Sequence, residues 1–173
     1  MDDRPLILAA GNGDREAFAA LYDRYARPVF LDLLSRLRNR DDAEDVLQAC
    51  FLAAWRSLPG LRRPERFVPW LFRIGRNRAR DLFRRRAAAP SRIGAGEEFV
   101  APESASDPES SEVRRLVASL KPRTRSVVLL RAVAGWSAGE VGDALGMSAS
   151  SVRRHYARAL EHLRDALTKE IAR

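Results

Sequence analysis

Residues 137–158 read SAGEVGDALGMSASSVRRHYAR, and their spacing decides the fold of the C-terminal half. Ser137 stands where a helix N-cap is needed, Gly146 where the chain must turn, and Ser148 where a second helix needs its cap. Gly142 leaves room for two helices to cross closely, and Val141, Leu145 and Val152 can fill the core between them. This is the pattern of a helix-turn-helix, whose second helix lies in a major groove of duplex DNA. That helix is expected to run on from about Ala149 and to bury Val152, Tyr156, Leu160, Leu163 and Leu167. Its first turns then present Ser150, Ser151, Arg153, Arg154, His155 and Arg158 outside the seam, as candidate contacts to bases and phosphates.

Upstream, Val113, Leu116, Val117 and Leu120 mark a short helix closed near Lys121-Pro122, and Arg125–Ala134 reads as another, ended by Gly135-Trp136. Before these lies an acidic stretch, residues 87–112, rich in Pro, Gly and Ser. It reads as a flexible tether, and the domain boundary is placed there.

The N-terminal half is also helical in period. Phe18, Leu21, Tyr22, Tyr25, Val29 and Leu33 recur at three and four residues after a Gly11-Asn12-Gly13-Asp14 turn that offers an N-cap. A second helix starts near Asp41-Asp42, runs through Val46, Leu47, Cys50, Phe51, Ala54, Trp55 and Leu58, and stops at Pro59-Gly60. A third is expected over Phe67–Arg86, with Pro69 tolerated in its first turn. On it Arg73, Arg76, Asn77, Arg80 and Arg84 form one stripe, while Leu71, Gly75, Ala79 and Leu82 face a core. The stripe, with the basic loop carrying Arg62, Arg63 and Arg66, suits the backbone of a nucleic-acid strand. Phe67, Trp70 and Phe72 can stack on exposed bases, although taken singly they read rather as core aromatics. No alternating stretch argues for a strand, so the fold class is all-α, with two small helical domains joined by a linker.

Charge follows the same division. The 173 residues carry a formal net charge of +8. Residues 1–60 contribute −2, 61–86 contribute +8, 87–112 contribute −5 and 113–173 contribute +7. Two basic blocks separated by an acidic one point to two polyanion-facing surfaces. One cysteine, Cys50, excludes an internal disulfide framework, and the two histidines, seven apart on one helix, offer no metal site. No glycine-rich phosphate loop or nucleophile elbow supports an enzyme, and no cofactor is expected. With no apolar run of membrane-spanning length and no signal peptide in Met1-Asp2-Asp3-Arg4, a cytoplasmic protein is the reading that remains.

Both halves together resemble the extracytoplasmic-function sigma factors of bacterial RNA polymerase. The resemblance rests on Asp42-Ala-Glu-Asp45-Val-Leu-Gln48…Phe51…Trp55, on Phe67-Val-Pro-Trp70…Asn77…Asp81…Arg84, and on Leu120-Lys-Pro-Arg…Leu129-Leu-Arg131…Trp136-Ser…Leu145-Gly146…Val152…Arg158-Ala159. It implies a region 2 domain over 1–86, a linker over 87–112 and a region 4 domain over 113–173. It further implies that Asp42, Asp45 and Gln48 contact core RNA polymerase. Arg62, Arg63, Arg66, Phe67, Trp70, Arg73, Arg76, Asn77, Arg80 and Arg84 would act on the melted minus-ten strand. Ser150, Ser151, Arg153, Arg154, His155 and Arg158 would read the duplex minus-thirty-five element. An anti-sigma partner is implied as well. Three positions depart from the pattern: Ala49-Cys50 where Glu usually follows the glutamine, Arg154-His155 in place of Ser-Arg, and Gly142 where alanine is frequent, a change expected to be harmless. The reading from another class is a helix-turn-helix regulator that binds duplex DNA alone, for which the Phe67–Arg86 helix would have no use.

Overall fold

A computed structural model describes residues 3–88 and 115–171, and among these every regular element is helical. In chain order they are α1 (Arg4–Gly11), α2 (Arg15–Leu37), α3 (Arg40–Ser57), α4 (Phe67–Ala88), α5 (residues 115–119), α6 (Pro122–Ala132), α7 (Ala138–Leu145) and α8 (Ala149–Ile171). Short 3-10 turns at Leu58–Gly60 and Pro64–Arg66 join α3 to α4. The tether expected at 87–112 lies, from residue 89 onward, outside the described residues, as do Val113 and the side chain of Leu167. Ala87 and Ala88 still continue α4.

Local chemistry fixes the ends. The Asp14 carboxylate accepts from the Glu16 and Ala17 amides at 2.9 and 3.0 Å and starts α2 where the sequence places the cap. The α2–α3 hairpin is tight: Arg38 closes α2 in the left-handed region at φ 58°, and the next residue, Asn39, caps α3 through the Asp42 amide at 2.8 Å. Pro122 opens α6 at its first turn, so this helix begins three residues earlier than its apolar period suggests.

Helices α1 to α4 enclose one core, in which Leu21, Leu33, Leu34, Leu71 and Phe72 are no more than 1 % exposed. Helices α5 to α8 close around Val127, Leu130, Val141, Ala144 and Val152. The seam of α8 follows Val152, Tyr156, Ala159 and Leu163. Ala159 is buried, whereas Leu160, expected inside, is exposed. At 100° per residue, position 159 lies about 20° from Val152 around the helix and position 160 about 80° away.

The two halves pack on each other, α2 against α6 and α4 against α7. Trp136, in the turn between α6 and α7, sets its ring 5.6 Å from Phe72 and 6.3 Å from Tyr25. Beside these rings the contact is polar. Ser35 Oγ and Ser126 Oγ lie 2.6 Å apart, and the Ser126 hydroxyl is 2.7 Å from Asp32 Oδ1. Arg125, 2 % exposed, donates to the Ser35 carbonyl at 2.6 Å and to the carbonyls of Val117, Ala118 and Leu120 in its own half.

Candidate nucleic-acid and partner interfaces

The loop between α3 and α4 builds the first surface. Pro59-Gly60 and Pro64 force two 3-10 turns, and these bring Arg62, Arg63 and Arg66 beside the first turns of α4. With Trp70, Arg73 and Arg76 they line an open basin of about 630 Å³. Arg73, Asn77, Arg80 and Arg84 are exposed along one line leading out of it. Arg84 also pairs with Asp81 at 3.0 Å. Trp70 is half-buried with its ring in the basin wall.

Phe67 and Phe72 differ from the stacking reading. Both are 1 % exposed, Phe67 packed 5.5 Å from Tyr25 and 5.9 Å from Trp70, and Phe72 against Trp136. As residue 67 begins α4, its ring swings into the core and leaves Trp70 as the aromatic at the basin. For Phe67 the assignment as a strand contact is corrected to that of an anchor beneath it. Arg76 is drawn inward too. It donates to the Ala144 carbonyl at 3.0 Å and sits 3.9 Å from Asp32, and burial pushes its pKa down against the upward pull of Asp32.

The second surface lies between α2 and α3. Phe18, Tyr22, Phe51, Leu52 and Trp55 line a groove of about 490 Å³ whose rim carries Arg15 and Gln48. Leu52 is 59 % exposed and Tyr22 39 %, so the groove presents apolar side chains to solvent. Edge-on ring contacts, Phe18 to Trp55 at 4.9 Å and Tyr22 to Phe51 at 4.7 Å, hold the groove in shape. Of the three residues expected to meet a protein partner, Gln48 lines the groove and Asp45 is exposed. Asp42 is instead gripped by both guanidinium nitrogens of Arg86, at 2.6 and 2.7 Å. Sequence reasoning missed Tyr22 and Leu52. The signal for Leu52 was present: at 100° per residue it lies opposite the stripe of Val46, Leu47, Cys50 and Phe51, and so points outward.

The third surface is α7, its turn and α8. Ser137 Oγ accepts from the Glu140 amide and Glu140 Oε2 accepts from the Ser137 amide at 2.8 Å, a reciprocal capping box. The Ser137 hydroxyl and amide hold the Glu140 carboxyl below its usual pKa. Gly146 ends α7 at φ 65°, and Ser148 Oγ accepts from the Ser151 amide to start α8. A Cβ on Gly142 would stand 2.6 Å from the Met147 carbonyl oxygen, so with this backbone the turn would have to shift to admit any larger residue. Ser150, Arg153, Arg154 and Arg158 are exposed at the start of α8, and Ser151 is half-buried. His155 is half-buried too, with Nδ1 3.2 Å from the Thr124 hydroxyl, which ties α8 to α6. Arg131 lies over the Tyr156 ring at 5.4 Å and donates to the Trp136 carbonyl.

Among the described residues no cluster of His, Cys, Asp and Glu could hold a metal ion, and no helix is long and apolar enough to cross a membrane.

Comparison with known proteins follows the same division. The family description "Sigma-70 region 2" matches residues 21–89, and "Sigma-70, region 4" matches residues 110–163. The RNA polymerase sigma factor CarQ of Myxococcus xanthus is 36% identical over 170 residues, covering 94% of this chain and 97% of its own. The solved structure of CnrH in complex with the cytosolic domain of CnrY superposes with a TM-score of 0.69 at 31% identity, over 96% of this chain and 97% of that one. The sigma factor RpoE of Bartonella quintana, solved with the anti-sigma factor NepR, shares the fold at 21% identity and a TM-score of 0.66, over 87% of this chain and 96% of that one.

Proposed function

The chain belongs to the sigma-70 family, in its extracytoplasmic-function group, and from that premise we propose how its three surfaces divide the work of a sigma factor. It binds core RNA polymerase and directs promoter-specific initiation of transcription. Residues 1–86 serve as the polymerase-binding and strand-opening half, and residues 113–173 as the duplex-reading half.

The observation that carries the reading is the arginine-lined basin around Trp70, continuing into the exposed line Asn77, Arg80 and Arg84, in one chain with a capped helix-turn-helix. A duplex reader needs only the second of these. Arginines along the basin supply phosphate attraction, and Trp70 with Asn77 supplies the stacking face and amide that an unstacked base can meet. Arg153, Arg154 and Arg158 at the start of α8 contact the minus-thirty-five duplex, helped by the amides of the helix N-terminus. The groove between α2 and α3, with Gln48 and Asp45 at its edge, takes core polymerase. Gly142 and His155 hold the reading helix in place. The protein works in the cytoplasm beside the polymerase and takes an anti-sigma partner, as CnrH is solved in complex with the cytosolic domain of CnrY and RpoE with the anti-sigma factor NepR.

Two variants test the division in reconstituted holoenzyme. Asn77→Ala should lower open-complex formation more than closed duplex binding, and Arg153→Ala should mainly weaken protection of the upstream element. Equal loss in both assays for Asn77→Ala would sink the strand assignment. Failure of the native chain to co-elute with core polymerase would sink the polymerase-binding role.

A further inference from the structure

Helix α4 is packed at its start and bare at its end. Phe67, Leu71, Phe72, Gly75 and Ala79 are buried and Leu82 packs on the core, but every residue from Phe83 to Ala88 is exposed. Arg84, the last member of the basic stripe, therefore stands where the core no longer holds the helix. Leu71, Gly75, Ala79 and Leu82 form one row along α4, and position 86 falls on the same row, about 150° around the helix from the stripe. Where an apolar side chain would continue that row, the chain has Arg86.

The facing row on α3 supplies the match. Asp42, Val46 and Cys50 follow one another at helical spacing along one side of α3. Near one end of this antiparallel seam the Cys50 thiol donates to the Leu71 carbonyl at 3.6 Å. At the other end the two Asp42 oxygens meet the two terminal nitrogens of Arg86 one to one, at 2.6 and 2.7 Å. That fork fixes orientation as well as distance. It is also better placed than an ordinary surface pair, because Asp42 is 14 % exposed and lies in the first turn of α3, whose amides favour a negative charge. Arg86 commits both amino nitrogens to it, on the side of α4 away from the stripe. It anchors the helix end instead of lengthening the stripe.

We propose that Asp42 and Arg86 are positioning residues for strand opening: their pair holds the last turns of α4 so that Arg84 keeps the line begun by Arg73, Asn77 and Arg80. The inference rests on the reading proposed above, in which that line meets the melted minus-ten strand. It moves Asp42 from the polymerase contact implied by resemblance to a role exerted through α4. Without the pair the end of α4 is free to fray, since its last carbonyls lack helical partners and the adjacent Arg84, Arg85 and Arg86 repel one another.

Holoenzyme reconstituted with the full chain supplies the test, its probe a single-stranded oligonucleotide from the non-template strand of a promoter that the native holoenzyme opens. Asp42→Ala and Arg86→Ala should each weaken its binding about three- to tenfold, while affinity for core polymerase stays within about twofold of the native chain. The double variant should bind no more weakly than the weaker single, because each residue acts through the other. Arg86→Lys, which keeps the charge but loses the fork, should fall between the native chain and Arg86→Ala. Measuring each variant at saturating holoenzyme keeps a folding loss from passing as a strand defect. Losses that add in the double variant would overturn the proposal, as would unchanged strand binding in both singles. Weaker association of Asp42→Ala with core polymerase, with Arg86→Ala unaffected, would return Asp42 to the polymerase interface and overturn it too. If the native chain fails to bind polymerase at all, the sigma reading falls instead, and the two failures are distinguishable.

Discussion

Alanine at Gly142 offers a sharp test of the helix-turn-helix geometry, because a second glycine on the same helix supplies its control. The added methyl would sit 2.6 Å from the Met147 carbonyl oxygen, about 0.8 Å short of ordinary contact at 3.4 Å. The obstacle is backbone in the turn itself, and Ala149 N, the start of α8, lies only 3.6 Å away. Relief therefore means moving the turn, at a cost of about 1–3 kcal/mol, as for other overpacked sites. Alanine's helix preference returns up to about 1 kcal/mol at either glycine, so Gly142→Ala should be less stable than an alanine without the clash by roughly 1–3 kcal/mol. At Gly139 the nearest atom is the Ser137 hydroxyl at 3.8 Å, and there alanine should be neutral or stabilising by up to about 1 kcal/mol. Thermal unfolding, at about 2–4 °C per kcal/mol for a chain of this size, should separate the two variants by several degrees. Gly142→Ala should also weaken footprinting over the upstream element, since the displaced turn carries Ser148 and the first residues of α8. A Gly142→Ala protein as stable as Gly139→Ala would refute the close approach of α7 to the turn.

Three further outcomes follow from local chemistry. Glu140 has its carboxyl pKa lowered from the ordinary 4.5 by the Ser137 hydroxyl and amide, so the stability it adds is present above that value and is lost as pH falls through the folded pKa. Melting temperatures of the native chain and Glu140→Gln should therefore converge as pH drops below about 4.5, and a constant gap would refute the ionised capping box. Burial pushes the Cys50 thiol up to about 12, so a thiol reagent at pH 8 should label it only as fast as the N-terminal half unfolds, and immediate labelling would contradict its packing beside Leu71 and Gly75. Arg38→Gly should raise the melting temperature by about 1–4 °C, because a non-glycine residue at φ 58° is strained; a fall would count against that account.

What was legible in the chain was local. Asp14, Ser137 and Gly146 announce their helix ends because a cap and its amide lie within a few residues of each other, and the stripe Arg73–Arg84 follows from period alone. Which way Phe67 and Phe72 turn was not decided locally. Their burial is set by Tyr25 and Trp136, which arrive from distant segments. The burial of Arg125 and Asp32 had no local signal, since nothing near Asp32 in sequence reveals Ser126, 94 positions away. Leu160 misled for a smaller reason: a helix of 3.6 residues per turn drifts, and eight residues on from Val152 the seam had passed to Ala159.

The three tryptophans stand at three different thresholds of the molecule. Trp55 lines the groove between α2 and α3, Trp70 walls the arginine basin, and Trp136 bridges the halves. On the reading proposed above, each is a native optical reporter for one event: docking of a protein partner, entry of a nucleic-acid strand, or a change at the contact between the halves. Chains keeping one indole at a time, with phenylalanine in the other two places, would let intrinsic fluorescence order those events in time without any attached dye.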